Sequence, residues 1–213
     1  MLYQDRIKEF MEEYENNKYA LGVRRLGAYV NEDFSKHIDE ESIETIVVLG
    51  CNRLSYEDFL IEFYDPKVIY SFDADPSVAK DVRNKQVYSK NPDYHKKVIF
   101  NEFAVSDTDG VLDFYTDTGD CKWNGSLYER YTTPLTKALR IESPSIQGEK
   151  IKVKSTRLDT FFSDKLETKI DLLCMDIQGA ELHALKGLGE LIDGVSHIIL
   201  EIPKTDELDY HKN

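Results

Sequence analysis

The chain has 213 residues, 41% of them hydrophobic, with 13 Tyr, 10 Phe and one Trp, which is material for one folded domain with an appendage. Its formal net charge of −13 argues against nucleic acid as a general partner, and no run approaches the roughly 18 apolar residues of a membrane span. Cys51, Cys121 and Cys174 are odd in number and far apart, so neither a zinc cluster nor a disulfide framework is indicated, and reduced thiols in a cytoplasmic chain are the expectation.

In chain order, Ile7, Phe10, Met11 and Tyr14 recur at spacings of three and four, which predicts a helical arm over 1–40 and leaves 41–213 as the main domain. The opening segment is charged from the start and lacks a signal-peptide core. "IETIVVLGC" is a short continuous apolar run, the pattern of a strand buried on both faces. "LSYEDFLIEFY" follows with helical periodicity, stopped by Asp65-Pro66. "KVIYSFDADPS" predicts a second buried strand, "VAKDVRNKQVYSK" a helix and "KVIFNEFAVSD" a third strand. "DTDG" at 107–110 is a turn signal, and "VLDFYTD" beyond it suggests an antiparallel hairpin.

Residues 117–149 read as a loop, either a cover for a site or a surface excursion. "KIKVKSTRLDTFF" predicts an extended segment and "KIDLLCMDIQGAE" a buried strand with an acidic end. "LHALKGLGELI" sets Leu182, Leu185, Leu188 and Ile192 on one helical face, and "VSHIILEIP" is a last strand. Buried strands linked by helices imply an α/β fold with a doubly wound, mostly parallel sheet. Ligands in such sheets sit at the carboxyl ends of the strands. That rim holds Gly50 to Asn52, Asp73 to Asp75, Ala104 to Ser106, Asp176 to Glu181, and Glu201.

Asp73 lies 23 positions after Gly50, a spacing that suits an acidic residue accepting hydrogen bonds from a ribose diol. Asp75 before Pro76 reads either as a second such group or as a helix N-cap. The Gly50 turn lacks G-x-G-x-x-G, so a pyrophosphate has no close-approach glycines, which disfavours NAD and FAD. S-adenosyl-L-methionine carries no phosphate and needs only one permissive turn with a few donors; the other reading is a plain tight turn. A carboxylate at Asp176, after "IDLLCM", is costly unless paired or set in a cleft. Glu181 opens a helix, where the macrodipole alone favours a carboxylate. His183 is either a base or a packing residue.

The order "VVLGCN", "IYSFDADPS", "FAVSDTDGVLDFY", "GSL", "STRLDTFF", "IDLLCMDIQGAELHALKG" and "IILEI" resembles the FkbM-type methyltransferases, from about Ile46 to Ile202. The segment around Asp176 carries most of the likeness. Against the family's D-x-G-A-N-x-G this chain keeps Gly50 and Asn52, with Cys51 for the alanine, Val48 for the aspartate and Leu54 for the last glycine. Against its K-x-D-x-E-G-x-E the chain has Met175 for the lysine and Gln178 for the first glutamate.

The resemblance implies a Rossmann-like sheet of the class I methyltransferase type, here without the family's closing C-terminal hairpin. It also implies S-adenosyl-L-methionine-dependent O-methylation of a sugar or similar small-molecule or glycan hydroxyl. By position, Gly50, Cys51 and Asn52 would line the methionine end, Asp73 the ribose, and Ala104, Val105 and Ser106 the adenine. Asp176 and Glu181 would face the sulfonium and the acceptor, with Asp176 the first choice of general base and Glu181 the second. The 117–149 loop, with Trp123 and Tyr128, would cover the site. The alternative is a non-catalytic Rossmann-like binding or scaffold domain that has lost cofactor affinity, which Val48 and Leu54 favour. A nucleotide-sugar or NAD enzyme would need basic or glycine-rich phosphate contacts at the first turn, where only Arg53 stands.

Overall fold

The computed structural model describes residues 38, 43–52, 56–88, 93–117, 124–129, 147–164 and 169–201. Apart from Ile38, the helical arm expected over 1–40 lies outside them, as do Arg53, Leu54 and Trp123.

The main sheet is built from β1 (Thr45–Leu49), β2 (Val68–Phe72), β3 (Val98–Asn101), β7 (Ile170–Met175) and β8 (Val195–Leu200) in the spatial order β3-β2-β1-β7-β8, every pairing parallel. Helices α1 (Glu57–Tyr64), α2 (Pro76–Tyr88) and α3 (Tyr94–Lys97) connect the strands on one side of β1. The apolar runs are continuous because both faces of the central strands are covered. In β1, Ile46 and Val48 enter one core cluster with Leu60, Phe63 and Val82, while Val47 and Leu49 enter a second with Leu158, Phe162 and Leu188. Leu172 and Cys174 of β7 join the first cluster, Leu173 and Met175 the second. Among the described residues, no helix is long and apolar enough to cross a membrane.

Helix ends follow from local chemistry. Asp65, in the left-handed conformation at φ 50°, sends its N–H back to the Ile61 carbonyl at 3.0 Å and closes α1 before Pro66. Asp75 accepts the Ser77 N–H at 2.7 Å and so caps α2, whose first residue is Pro76. Buried Asp171 of β7 accepts the N–H groups of Glu44 and Thr45 at 3.0 and 2.9 Å, fixing the start of β1. Asp171→Ala orphans both donors and is expected to lower stability by about 1–3 kcal/mol, read from urea unfolding.

Four sequence expectations are corrected. First, "KVIFNEFAVSD" is not one strand. It splits into β3 and a short β4 (Ala104–Val105) in a second sheet. The Asn101 side-chain amide donates to the Ile99 carbonyl at 3.1 Å, and the Phe103 N–H returns to the Asn101 carbonyl, which turns the chain out of the main sheet.

Second, "DTDG" does not close a hairpin with the strand before it. β5 (Gly110–Asp117) pairs antiparallel with the later β6 (Gln147–Thr156), and β4 pairs parallel with β6, giving the order β4-β6-β5. The turn is tied forward instead. Asp109 accepts the Arg157 N–H at 2.8 Å and the Thr160 hydroxyl at 2.9 Å. Consequently part of the expected 117–149 loop, from Gln147, is strand.

Third, the extended segment "KIKVKSTRLDTFF" ends at Arg157, and Leu158–Phe161 form a helical turn, α4. Asp159 accepts the Thr160 N–H and pairs with the Arg157 guanidinium.

Fourth, "LHALKGLGELI" is not one amphipathic helix. α5 runs only over Glu181–Lys186, and a 3-10 helix follows at Gly189–Gly194. Leu182 is 61% exposed and Ile192 42%, while Leu188 is fully buried. Gly187 is still in the helical region and must be glycine, since a Cβ there would stand 2.1 Å from the Ser106 carbonyl oxygen; the left-handed turn at Gly189, φ 52°, then interrupts the helix. The expected absence of a closing hairpin concerns residues beyond Glu201, outside the described part.

Candidate functional site

The chain leaves β1 toward β2 and β3 and later returns on the other side as β7 and β8, so the loops after β1 and β7 diverge from neighbouring strands. A crevice must open at their carboxyl ends. A cavity of about 210 Å³ lies there. Its lining includes Gly50, Asn52, Asp73, Ala104, Val105 and Asp176, six of the site residues expected from the sequence. The small sheet supplies the facing wall through Phe114 of β5 and the segment Asn124, Gly125 and Leu127.

Cys51, Ser106 and Glu181 are not on the lining. Cys51 is fully buried in the core, and its N–H shares the Phe72 carbonyl with that of Gly50. Ser106 is buried, its N–H on the Thr156 carbonyl and its hydroxyl on Asp107. Glu181 turns its Oε1 onto the N–H groups of Ile177 and Gly179 at 3.1 and 3.3 Å, holding the turn that carries Asp176. His183 also stands off the cavity, its Nδ1 2.8 Å from Asp107 and its ring beside Tyr128.

The cavity is a meeting of tight turns. Gly50 has φ 75°, Asn52 51°, Gln178 54° and Gly179 100°. At Gly50 no side chain fits, because a Cβ would lie 1.9 Å from the Asp176 carbonyl oxygen. Asp73 knits two of the turns together: its Oδ2 accepts the Asn52 N–H and its Oδ1 the Asp75 N–H, both at 2.9 Å. Asp73 lines the cavity, so its carboxyl keeps acceptor capacity to offer a ligand. The Asn52 side-chain oxygen is buried with no hydrogen-bond partner among the described residues. Ser126, fully buried, donates its hydroxyl to the Gln178 carbonyl at 2.8 Å and accepts the Tyr128 N–H, so the 124–127 segment is fastened across the cavity to the turn after β7.

Among the described residues the lining carries Asp73, Asp75, Asp176 and Glu201 and no Lys, Arg or His. Burial pushes the Asp73 carboxyl up to about 7, helped by the charge of Asp75 and opposed by the backbone N–H bonds it accepts. Burial likewise pushes Asp176 up to about 7, with the charge and hydrogen bond of Glu201 adding to it and the Gln178 amide opposing. Among the described residues no group of three His, Cys, Asp or Glu converges as a metal site. Sequence reasoning set Glu201 at this rim but gave it no role. It likewise set Gln178 on the rim, within Asp176 to Glu181, without a role, because a glutamine after a strand carries no chemical signal by itself.

A sign follows for stability. With both carboxyls raised from 3.8 to about 7, the folded state holds protons that the unfolded chain has released between about pH 4 and 7. Stability therefore falls as pH rises through that window. The melting temperature is expected to be higher at pH 5 than at pH 8, and Asp176→Asn should flatten the dependence; a melting temperature that rises with pH would contradict the arrangement.

A wholly parallel, doubly wound main sheet with a polar cavity at its switch point defines a Rossmann-like α/β domain. The family model described as the Methyltransferase FkbM domain matches residues 32–211. The chain belongs to the FkbM methyltransferase family, which makes it an enzyme of methyl transfer. It is 26% identical over 203 residues to the 2-O-methyltransferase NoeI of Sinorhizobium fredii (strain NBRC 101917 / NGR234), a match covering 93% of this chain and 76% of that one. The solved structure of the methyltransferase FkbM from Methylobacillus flagellatus KT is matched at 14% identity with a TM-score of 0.45, over 71% of this chain and 30% of that one.

Proposed function

We propose that the chain transfers a methyl group from S-adenosyl-L-methionine to a hydroxyl of a sugar or similar small molecule or glycan. The observation that carries this is the single cavity shared by Gly50, Asn52, Asp73, Ala104, Val105 and Asp176. The named relative, a 2-O-methyltransferase, supports a hydroxyl acceptor.

The donor set suits the cofactor. The unpartnered Asn52 oxygen is an acceptor without a donor, and the methionine ammonium supplies one. Asp73 offers both carboxylate oxygens to a ribose diol. Ala104, Val105 and Phe103 give an apolar surface for a base ring. The acidic lining among the described residues favours a ligand with a positive centre over a pyrophosphate. When bound, the cofactor supplies a methyl carbon activated by its sulfonium. The chain aligns the acceptor oxygen with that carbon, keeps water out, and provides in Asp176 a carboxylate to receive the hydroxyl proton. Glu181 holds the turn that positions Asp176.

Calorimetric titration with S-adenosyl-L-methionine, together with a mass spectrum of what co-purifies, tests the reading. Saturable binding, or recovery of the cofactor or its demethylated product, is the expected result. No heat and no thermal shift would favour the scaffold alternative, and a co-purified dinucleotide would overturn the assignment.

A further inference from the structure

Three segments that line the cavity leave it toward one spot. Val105 leads to Asp107, Leu127 to Tyr128 and Ala180 to His183. There the side chains meet again. His183 Nδ1 lies 2.8 Å from Asp107 Oδ2, and the Tyr128 ring stands beside the imidazole, with centroids 6.1 Å apart and planes tilted by 46°. The Ser106 and Thr108 hydroxyls hold the other oxygen of Asp107 at 3.3 and 3.2 Å. A carboxylate on Nδ1 fixes the ring proton there and leaves Nε2 as an acceptor. Among the described residues nothing hydrogen-bonds to Nε2.

Folding does not account for this cluster. The His183 and Asp107 side chains are 38% and 29% exposed, and pairs in such surroundings stabilise little. Tyr128 is also only partly buried, and the two rings are splayed rather than stacked. An aromatic surface beside an unused ring nitrogen suits a pyranose. The C–H face of a sugar is apolar and packs on an aromatic ring, while its edge carries hydroxyls that need partners. The cavity itself, at about 210 Å³, has no room for a sugar ring beside a cofactor, so the acceptor must dock outside it. Tyr128 is tied to the cavity wall. Its N–H bonds the Ser126 hydroxyl, which donates to the Gln178 carbonyl, two residues beyond Asp176.

We propose that Tyr128 and His183, with Asp107 as the residue that positions the imidazole, form a pyranose-binding subsite for the acceptor. The sugar lays its C–H face on the Tyr128 ring and donates one hydroxyl to His183 Nε2. This subsite rests on the methyl-transfer reading above and gives its acceptor a surface outside the cavity. The reacting hydroxyl is a different one, and its proton still passes to Asp176.

The full chain, saturated with S-adenosylhomocysteine, is tested by saturation-transfer NMR against a panel of methyl hexopyranosides that differ in ring stereochemistry. At least one glycoside is expected to receive saturation, most strongly at the C–H protons of one face. It should also move the imidazole signals of His183 and leave those of His197, which stands on the Asp171 carbonyl, in place. Tyr128→Ala and His183→Ala are each expected to weaken that glycoside about ten-fold, the worth of one aromatic contact or one hydrogen bond. Affinity for S-adenosylhomocysteine should stay within about five-fold of the parent, the most that so exposed a pair contributes. A merely structural role would weaken both ligands together. Saturation of none of the glycosides, unmoved His183 signals, or equal glycoside affinity in a folded variant and the parent would each overturn the subsite. The His183 signals of the parent decide the matter even if neither variant folds. Failure to bind S-adenosylhomocysteine would instead overturn the methyl-transfer reading, and the subsite with it.

Discussion

Gly50→Ala is expected to abolish cofactor binding and to destabilise the chain by about 3 kcal/mol or more, the range of substitutions that distort a buried backbone. Two costs combine. At φ 75° any side chain pays for the left-handed region, about 1–2 kcal/mol. The larger cost is contact. The new methyl would meet the Asp176 carbonyl oxygen at 1.9 Å and its carbon at 2.8 Å. Those are backbone atoms at the end of a neighbouring strand, so no rotamer change removes the clash. β1 and β7 must separate where the Asp176 N–H bonds the Leu49 carbonyl. Denaturant unfolding and a thermal-shift titration measure both effects. A variant within about 1 kcal/mol of the parent that still bound the cofactor would show that the two strand ends do not meet as described.

Asp73→Ala is expected to weaken cofactor binding at least about 100-fold, the loss of two hydrogen bonds to a charged acceptor at about 1.5 kcal/mol each. The same change frees the Asn52 and Asp75 N–H groups, so the turns after β1 and β2 lose their tie. Stability should suffer less than affinity. At neutral pH the parent carboxyl is itself held against its ionisation by burial, and removing it removes that penalty. Asp73→Asn keeps one acceptor oxygen and is expected to fall between the two. Equal affinity in Asp73→Ala and the parent, by calorimetry, would remove Asp73 from the binding surface.

The parallel sheet was legible because burial on both faces leaves continuous apolar runs such as "TIVVL" and "IDLLCM", and because these runs stop abruptly, at Gly50 and Asp176. The same logic put Gly50, Asp73, Asp176 and Glu201 on one rim. What failed depended on contacts distant in sequence. Nothing local says that β5 pairs with β6 thirty residues on rather than with β4, since the deciding bonds run from Asp109 to Arg157 and Thr160. The close approach of the Ser106 carbonyl to Gly187, just after α5, is another such contact, which no helical periodicity reveals. Cys51 shows the limit of reading by neighbourhood. It stands between two lining residues, yet in a tight turn its side chain points into the core.

The two walls of the cavity belong to different sheets, and the Ser126 hydroxyl on the Gln178 carbonyl is a direct bond between them. That neutral hydrogen bond contributes about 1 kcal/mol, beside the Asp159 N–H on the Gly187 carbonyl and the Asp107–His183 contact, which also tie the small sheet's turns to the chain after β7. Residence time then depends in part on a single hydroxyl. Ser126→Ala is expected to speed cofactor dissociation several-fold in stopped-flow displacement, with the equilibrium constant moving less than the rate.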